Sequence, residues 1–270
     1  MSEALSFFCI QISFLAIVLI LHTYIGLHVI RRSIIFSDLV LDQLAAFGAL
    51  AGIGLGISYG TGLSYLVSLV AVLFGSLLLA ILNPRNRLIP REAIIGIIYA
   101  LTLVVSLLVA DKLPGGAAYV SKTLAGCMLW VRWPIVVITA VTYIALLMIH
   151  YKFRHKFIGI TEGRQIVKNE KLWDFLFFTT QGIITVLVVP IAGVLLAYAF
   201  LMIPAAIVAM FTRKWVNAVI VGWGIGLFAC VIGLCASYFC DFPYGPSLVL
   251  SLGLFFICAV VIRSLVPQKT

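Results

Sequence analysis

LSFFCIQISFLAIVLILHTYIGLHVI, residues 5–30, runs directly into Arg31 and Arg32. The stretch holds no Asp, Glu, Lys or Arg. It exceeds the roughly 20 apolar residues that span a bilayer as a helix. It is also far too long for the apolar segment of a cleavable signal, and only Glu3 precedes it, with no early Lys or Arg. It therefore reads as a first transmembrane helix with its N-terminus outside and its basic end in the cytoplasm.

Further apolar runs follow at 39–59, 62–82, 93–111, 133–151, 172–190, 193–211, 216–239 and 246–263. Lipid offers the backbone no hydrogen bonds, so each run is helical. The expected fold is an all-α polytopic bundle of about nine helices, or eight if two runs form one broken helix. Hydrophobic residues make up 64% of the 270 and charged residues 10%. A soluble domain carries about 25% charged residues, so a water-soluble fold is excluded and 1–270 reads as a single transmembrane domain.

The net charge of +9 sits in short loops between apolar runs. No basic stretch interleaves with aromatics on a polar surface, so nucleic acid is not an expected partner; membrane lipid is. Alternate loops hold Arg31 and Arg32; Arg85, Arg87 and Arg91; Lys152 through Lys171; Arg213 and Lys214; and, in the tail, Arg263 and Lys269. Nine crossings place all of these in the cytoplasm and leave only Lys112, Lys122 and Arg132 outside.

Two segments stand apart. Leu113 to Trp133 is broken by Pro114, Gly115 and Gly116 and reads as an outer loop with a short helix dipping part-way in. The longest cytoplasmic segment, 151–171, is basic and polar, and Thr161 to Lys171 is expected to form a short amphipathic helix. It is either a solvated loop or a docking element for a cytoplasmic partner.

Ionisable residues inside spans are few and costly, at about 2.5–3.5 kcal/mol each. Asp38 and Asp42 are one turn apart on one helix face, with Gln43 next to them. Two such carboxylates repel unless a cation or proton lies between them, and a divalent metal takes hard oxygen ligands. The alternative is that Asp38 caps the helix and Asp42 pairs with a nearby Arg. His22 and His28, on the first run, read as packing residues. His150 and His155, flanking the basic loop, read as solvated. Asp174 reads as favoured by the dipole of the helix it begins, and Asp241 as a turn residue. The six cysteines show no C-x-x-C spacing and read as small hydrophobes. There is no phosphate-loop motif, no H-E-x-x-H and no nucleophile elbow, so the chain carries no ATPase of its own and nothing nominates an enzyme.

Several landmarks resemble those of the zinc/manganese (ABC-3 type) permease family of metal ABC importers. They are Arg31-Arg32 through Asp38 and Asp42 to Gly48; Arg91-Glu92-Ala93-Ile94-Ile95-Gly96; Leu201, Pro204, Ala205, Ala206 and Ala209; and Ser237-Tyr238 with Asp241, Pro243, Gly245 and Pro246. The resemblance implies a vitamin B12-importer-like (type II) fold. It also implies a permease homodimer, two ATPase subunits and an extracytoplasmic metal-binding protein. Under it, Thr161, Glu162, Gly163 and Arg164 in the 151–171 loop couple to the ATPase, and Asp241 lies at the outer docking face. Asp38 and Asp42, with Gln43 as a further candidate, line a transient metal pathway, and no cofactor is held tightly. Two departures matter. Asp42 stands where the family has His, and Ala46, Phe47 and Gly48 replace its Pro-Gly. An all-oxygen pair suits manganese or ferrous iron somewhat better than zinc. The alternatives are a proton-coupled secondary transporter and a type II importer of a metal chelate.

Overall fold

The apolar runs become helices whose ends are set by local chemistry. The computed structural model describes residues 3–82, 89–126, 131–163 and 168–265. They form α1 (Glu3–Arg31), α2 (Phe36–Gly54), α3 (Gly62–Ile81), α4 (Arg91–Asp111), α5 (Gly116–Ala125), α6 (Trp133–Lys152), α7 (Arg154–Thr161), α8 (Glu170–Ala209), α9 (Trp215–Cys240) and α10 (Tyr244–Leu265). Thr61 caps α3 by accepting from Ser64 N at 3.4 Å. The start of α2 lacks a side-chain cap of its own; Glu92 of α4 supplies one, accepting from Phe36 N at 2.8 Å. The end of α2 falls at Gly54 rather than 59, where Gly56 N and Ile57 N turn back to Ile53 O and Gly52 O, each at 2.9 Å.

Eight of these helices are long and apolar enough to cross a membrane. The difference from nine runs lies in α8, which joins 172–190 and 193–211 in one broken helix. The break is at Gly193, where φ 78 and ψ 162 are open only to glycine. The chain is a multi-pass membrane protein. Side chains such as Leu101, Leu108, Val141 and Phe228 face outward as lipid-facing residues do.

The chain forms two compact units. The first contains α1, residues 133–147 of α6, the end of α8 from Ala199, α9 and α10. There, Trp223 Nε1 donates to Ala16 O at 2.9 Å and Ser251 Oγ to Ala229 O at 2.7 Å, tying α9 to α1 and α10. His22 Nδ1 lies 3.0 Å from Val18 O and 3.3 Å from the Tyr143 hydroxyl. Along α1, Phe200 sits by His22, Leu201 by Gly26, and Ala205 and Val208 by Leu27. The end of α8 therefore runs parallel to α1.

The second unit contains α2, α3, α4, α5, α7 and α8 up to Tyr198. Here α2 is the hub, packed on α3, α4 and α5. In their most apolar stretches α2 and α8 are 67% and 72% buried, against 17% for α4, so polar groups on α2 and α8 are the ones held away from lipid. Gly182 of α8 faces α3 so closely that a Cβ there would collide with Val72 Cγ1.

Candidate functional site

Burial on all sides makes the two carboxylates of α2 unusual. Asp38 is 2% exposed and Asp42 1%. Opposite them on α8, Gln181 and Thr185 share the same one-turn spacing. Gln181 Nε2 donates to Asp38 Oδ1 at 3.0 Å, and Thr185 approaches Asp42. Asp38 Oδ2, both oxygens of Asp42 and Gln181 Oε1 have no partner at hydrogen-bond geometry among the described residues. Gln43 is also buried and its Oε1 also lacks a partner. It stands about 100° around the helix from Asp42.

An uncompensated buried carboxylate is costly, so the obvious test is whether a basic residue answers the pair. None does among the described residues. Arg31 reaches Glu162 at 3.5 Å. Arg32 and Arg91 both turn to Asp174, Arg91 at 3.0 Å, and Arg91 also donates to Leu79 O at 3.1 Å. The two guanidiniums lie over the Phe177 and Phe178 rings, at 5.1 and 5.5 Å. The arginine-paired alternative for Asp42 is therefore not realised. Asp174 is more than a residue favoured by a helix dipole: it is the shared counter-ion of the two arginines.

The chain matches the ABC 3 transport family over residues 8–263. It belongs to that family. A relative from Chlamydia pneumoniae, named "Probable metal transport system membrane protein", is 24% identical over 253 residues, covering 90% of this chain and 83% of the relative. The manganese transport system membrane protein MntC of Listeria monocytogenes is 25% identical over 261 residues, 92% of this chain and 90% of that one. Among solved structures, PsaBC from Streptococcus pneumoniae in complex with Fab superposes with a TM-score of 0.74 at 18% identity, over 92% of this chain and 88% of that chain. The fold is thus that of an ABC permease.

In the 151–171 segment of this ABC 3 family member, residues 164–167 of the expected Thr161–Lys171 helix lie outside the described residues. A short helix, α7, precedes that stretch, and Thr161 ends it, with its hydroxyl bonded to Phe157 O at 2.9 Å. Apolar Phe157 is what anchors it, stacked on His150 at 4.2 Å and packed edge-on against Trp173. For the same reason His150 is buried rather than solvated, whereas His155 is exposed. Glu162 and Gly163 follow α7; Arg164 lies outside the described residues, as do Arg85, Arg87, Cys127 and Lys269. The broken segment from Leu113 to Trp133 does contain a short helix, α5. The other five cysteines are free.

Asp241 ends α9 in the left-handed conformation, φ 55 and ψ 35, and is exposed. Phe242 N and O bond Ser237 O and Oγ at 3.2 and 2.8 Å, which fixes the turn. It borders a cleft of about 500 Å³ lined also by Phe7, Tyr238, Pro243 and Tyr244.

Sequence reasoning missed Gln181. Its signal was available: Thr180, Gln181 and Thr185 interrupt an otherwise apolar run, and 181 and 185 repeat the spacing of 38 and 42.

Proposed function

We propose that this chain is the permease subunit of an ATP-driven importer for a divalent transition-metal ion: zinc, manganese or ferrous iron. The observation that carries the reading is the Asp38–Asp42 pair on α2, buried against α8, with no cationic side chain among the described residues to neutralise it. A mobile dication supplies the missing charge. Two carboxylates and neutral oxygens hold it loosely enough for water to compete, which a passing site needs. The metal systems named among its relatives favour the same substrate class.

The chain works as a homodimer with two ATPase subunits that carry the phosphate loop this chain lacks. An extracytoplasmic metal-binding protein docks at the outer turn around Asp241 and releases the ion toward Asp38 and Asp42. On the cytoplasmic side, α7 with Thr161, Glu162 and Gly163 receives the ATPase. The Glu162–Arg31 contact supports this, since it ties the end of α7 to the turn before α2. Closure of the ATPases then pulls on the segment that carries the carboxylates.

The N-terminus lies outside and the C-terminus in the cytoplasm. The alternation of the basic loops supports this: with one crossing in each half of α8 there are nine crossings, and Arg31 and Arg32, Arg91, Lys152 through Lys171, and Arg213 and Lys214 all fall on one side.

The test is metal uptake by cells that depend on the full transporter. Asp38→Asn with Asp42→Asn is expected to abolish uptake while the protein still reaches the membrane. Unchanged uptake would remove the passage role. Purification of the tagged wild-type chain from mild detergent should recover an ATPase in stoichiometric amount. A chain that purifies alone and follows the proton gradient would instead be a secondary transporter.

A further inference from the structure

We propose that the Gln181 carboxamide oxygen is a third ligand of the cation held by Asp38 and Asp42, and that it biases the site toward manganese over zinc. The inference rests on the metal-passage reading above. It starts from what the site lacks. Among the described residues no cluster of three or more His, Cys, Asp and Glu side chains exists, so no nitrogen, sulfur or third carboxylate joins the two aspartates to complete a ligand set. A further ligand among the described residues is therefore a neutral oxygen.

Gln181 meets that requirement. It is fully buried, and its amide nitrogen is already fixed on Asp38 Oδ1 at 3.0 Å. Its oxygen shares a carbon with that nitrogen, so it is held at the same site, yet it has no hydrogen-bond partner. A buried amide oxygen left open beside three open carboxylate oxygens is a donor set without its acceptor. The one carboxamide serves twice: its N–H orients the Asp38 carboxylate, and its C=O adds a ligand. Next to it, Gly182 packs on α3 so closely that a Cβ would collide with Val72 Cγ1.

The chemistry follows from ligand type. Carboxylate, carbonyl and water oxygens suit manganese, whereas zinc gains most from imidazole and thiolate. Amide oxygen is neutral, so it raises coordination number without deepening the electrostatic trap that release must overcome.

The experiment measures uptake of radioactive manganese and zinc by cells expressing the complete transporter, with manganese binding to the purified chain followed by loss of the aqueous manganese EPR signal. Gln181→Met keeps the volume and replaces a hard oxygen with a soft sulfur. It should lower manganese uptake and binding about tenfold or more, the scale of a lost contact around a metal, and zinc uptake much less. Gln181→Glu keeps the oxygen and should hold the manganese-to-zinc ratio. A ratio unchanged in Gln181→Met would overturn the ligand role and leave only packing. If that variant does not reach the membrane, Gln181→Asn decides the matter: it withdraws the oxygen by one methylene and must lower the ratio. Asp38→Asn separates the two claims. If it spares uptake of both metals, the passage reading itself fails. If it abolishes uptake while the Gln181 variants leave the ratio untouched, only the present inference fails.

Discussion

Replacing Asp174 with Asn should loosen the N-terminal end of α8 and impair transport without touching the candidate ligands. Asp174 is 1% exposed and answers two guanidiniums whose side chains are 9% and 17% exposed. Removing one partner of a buried pair costs about 3–5 kcal/mol, because the remaining charge stays buried. Here two like charges remain, over the Phe177 and Phe178 rings. An Asn carbonyl still accepts one hydrogen bond, so a loss near 3 kcal/mol is expected, at the lower end of that range. Asp174 lies seven residues before Gln181, two helical turns on nearly the same face, so a shift at one reaches the other about 10 Å away. The assay is thermal unfolding in detergent together with metal uptake. A second arm adds Arg91→Gln, which removes one of the two stranded cations. The double variant should be less destabilised than the sum of the singles. A loss for Asp174→Asn below about 1 kcal/mol, the level of an exposed pair, or strict additivity with Arg91→Gln, would refute the shared counter-ion.

Two further outcomes follow from backbone geometry. Gly182→Ala drives a methyl into Val72 Cγ1, an overpacking worth about 1–3 kcal/mol. It should lower both thermal stability and uptake, and Val72→Ala in the same chain should restore part of each; a second substitution that restores nothing would mean that α8 and α3 are not in this contact. Gly193→Ala places a side chain at φ 78 and ψ 162, at a cost of about 1–3 kcal/mol. Its unfolding midpoint should fall, and an unchanged midpoint would show that the break in α8 lies elsewhere.

Composition and run length made the membrane fold legible, because lipid leaves helix as the only option for an apolar run of that length. They could not show that 172–190 and 193–211 are one helix with a break. Pro190 and Gly193 both mark an interruption, and only the φ of Gly193 says which residue makes the turn. The Asp38–Asp42 pair was legible because helical spacing is local information. Its α8 partners were not, because Gln181 is 143 residues away from Asp38 in sequence. His150 was misread for a similar reason: its place beside a basic loop suggested water, whereas Phe157 on the next helix covers it.

The contrast between the acidic residues of the second unit is what supports the proposed division between scaffold and passage. Three arginines, at 31, 32 and 91, flank the starts of α2 and α4, and any of them stands close in sequence to Asp38 or Glu92. All three are committed elsewhere: one to Glu162, two to Asp174. Asp174 thus carries a surplus of positive charge around it, while Asp38 and Asp42, deeper along α2, carry two carboxylates and no cationic partner among the described residues. A structural ion pair is stabilised by keeping its partner permanently. A site through which a cation passes must do without one, because a resident arginine would neutralise the pair and exclude the ion. The same basic residues that could have silenced the pair instead fasten the start of α8 and the end of α7.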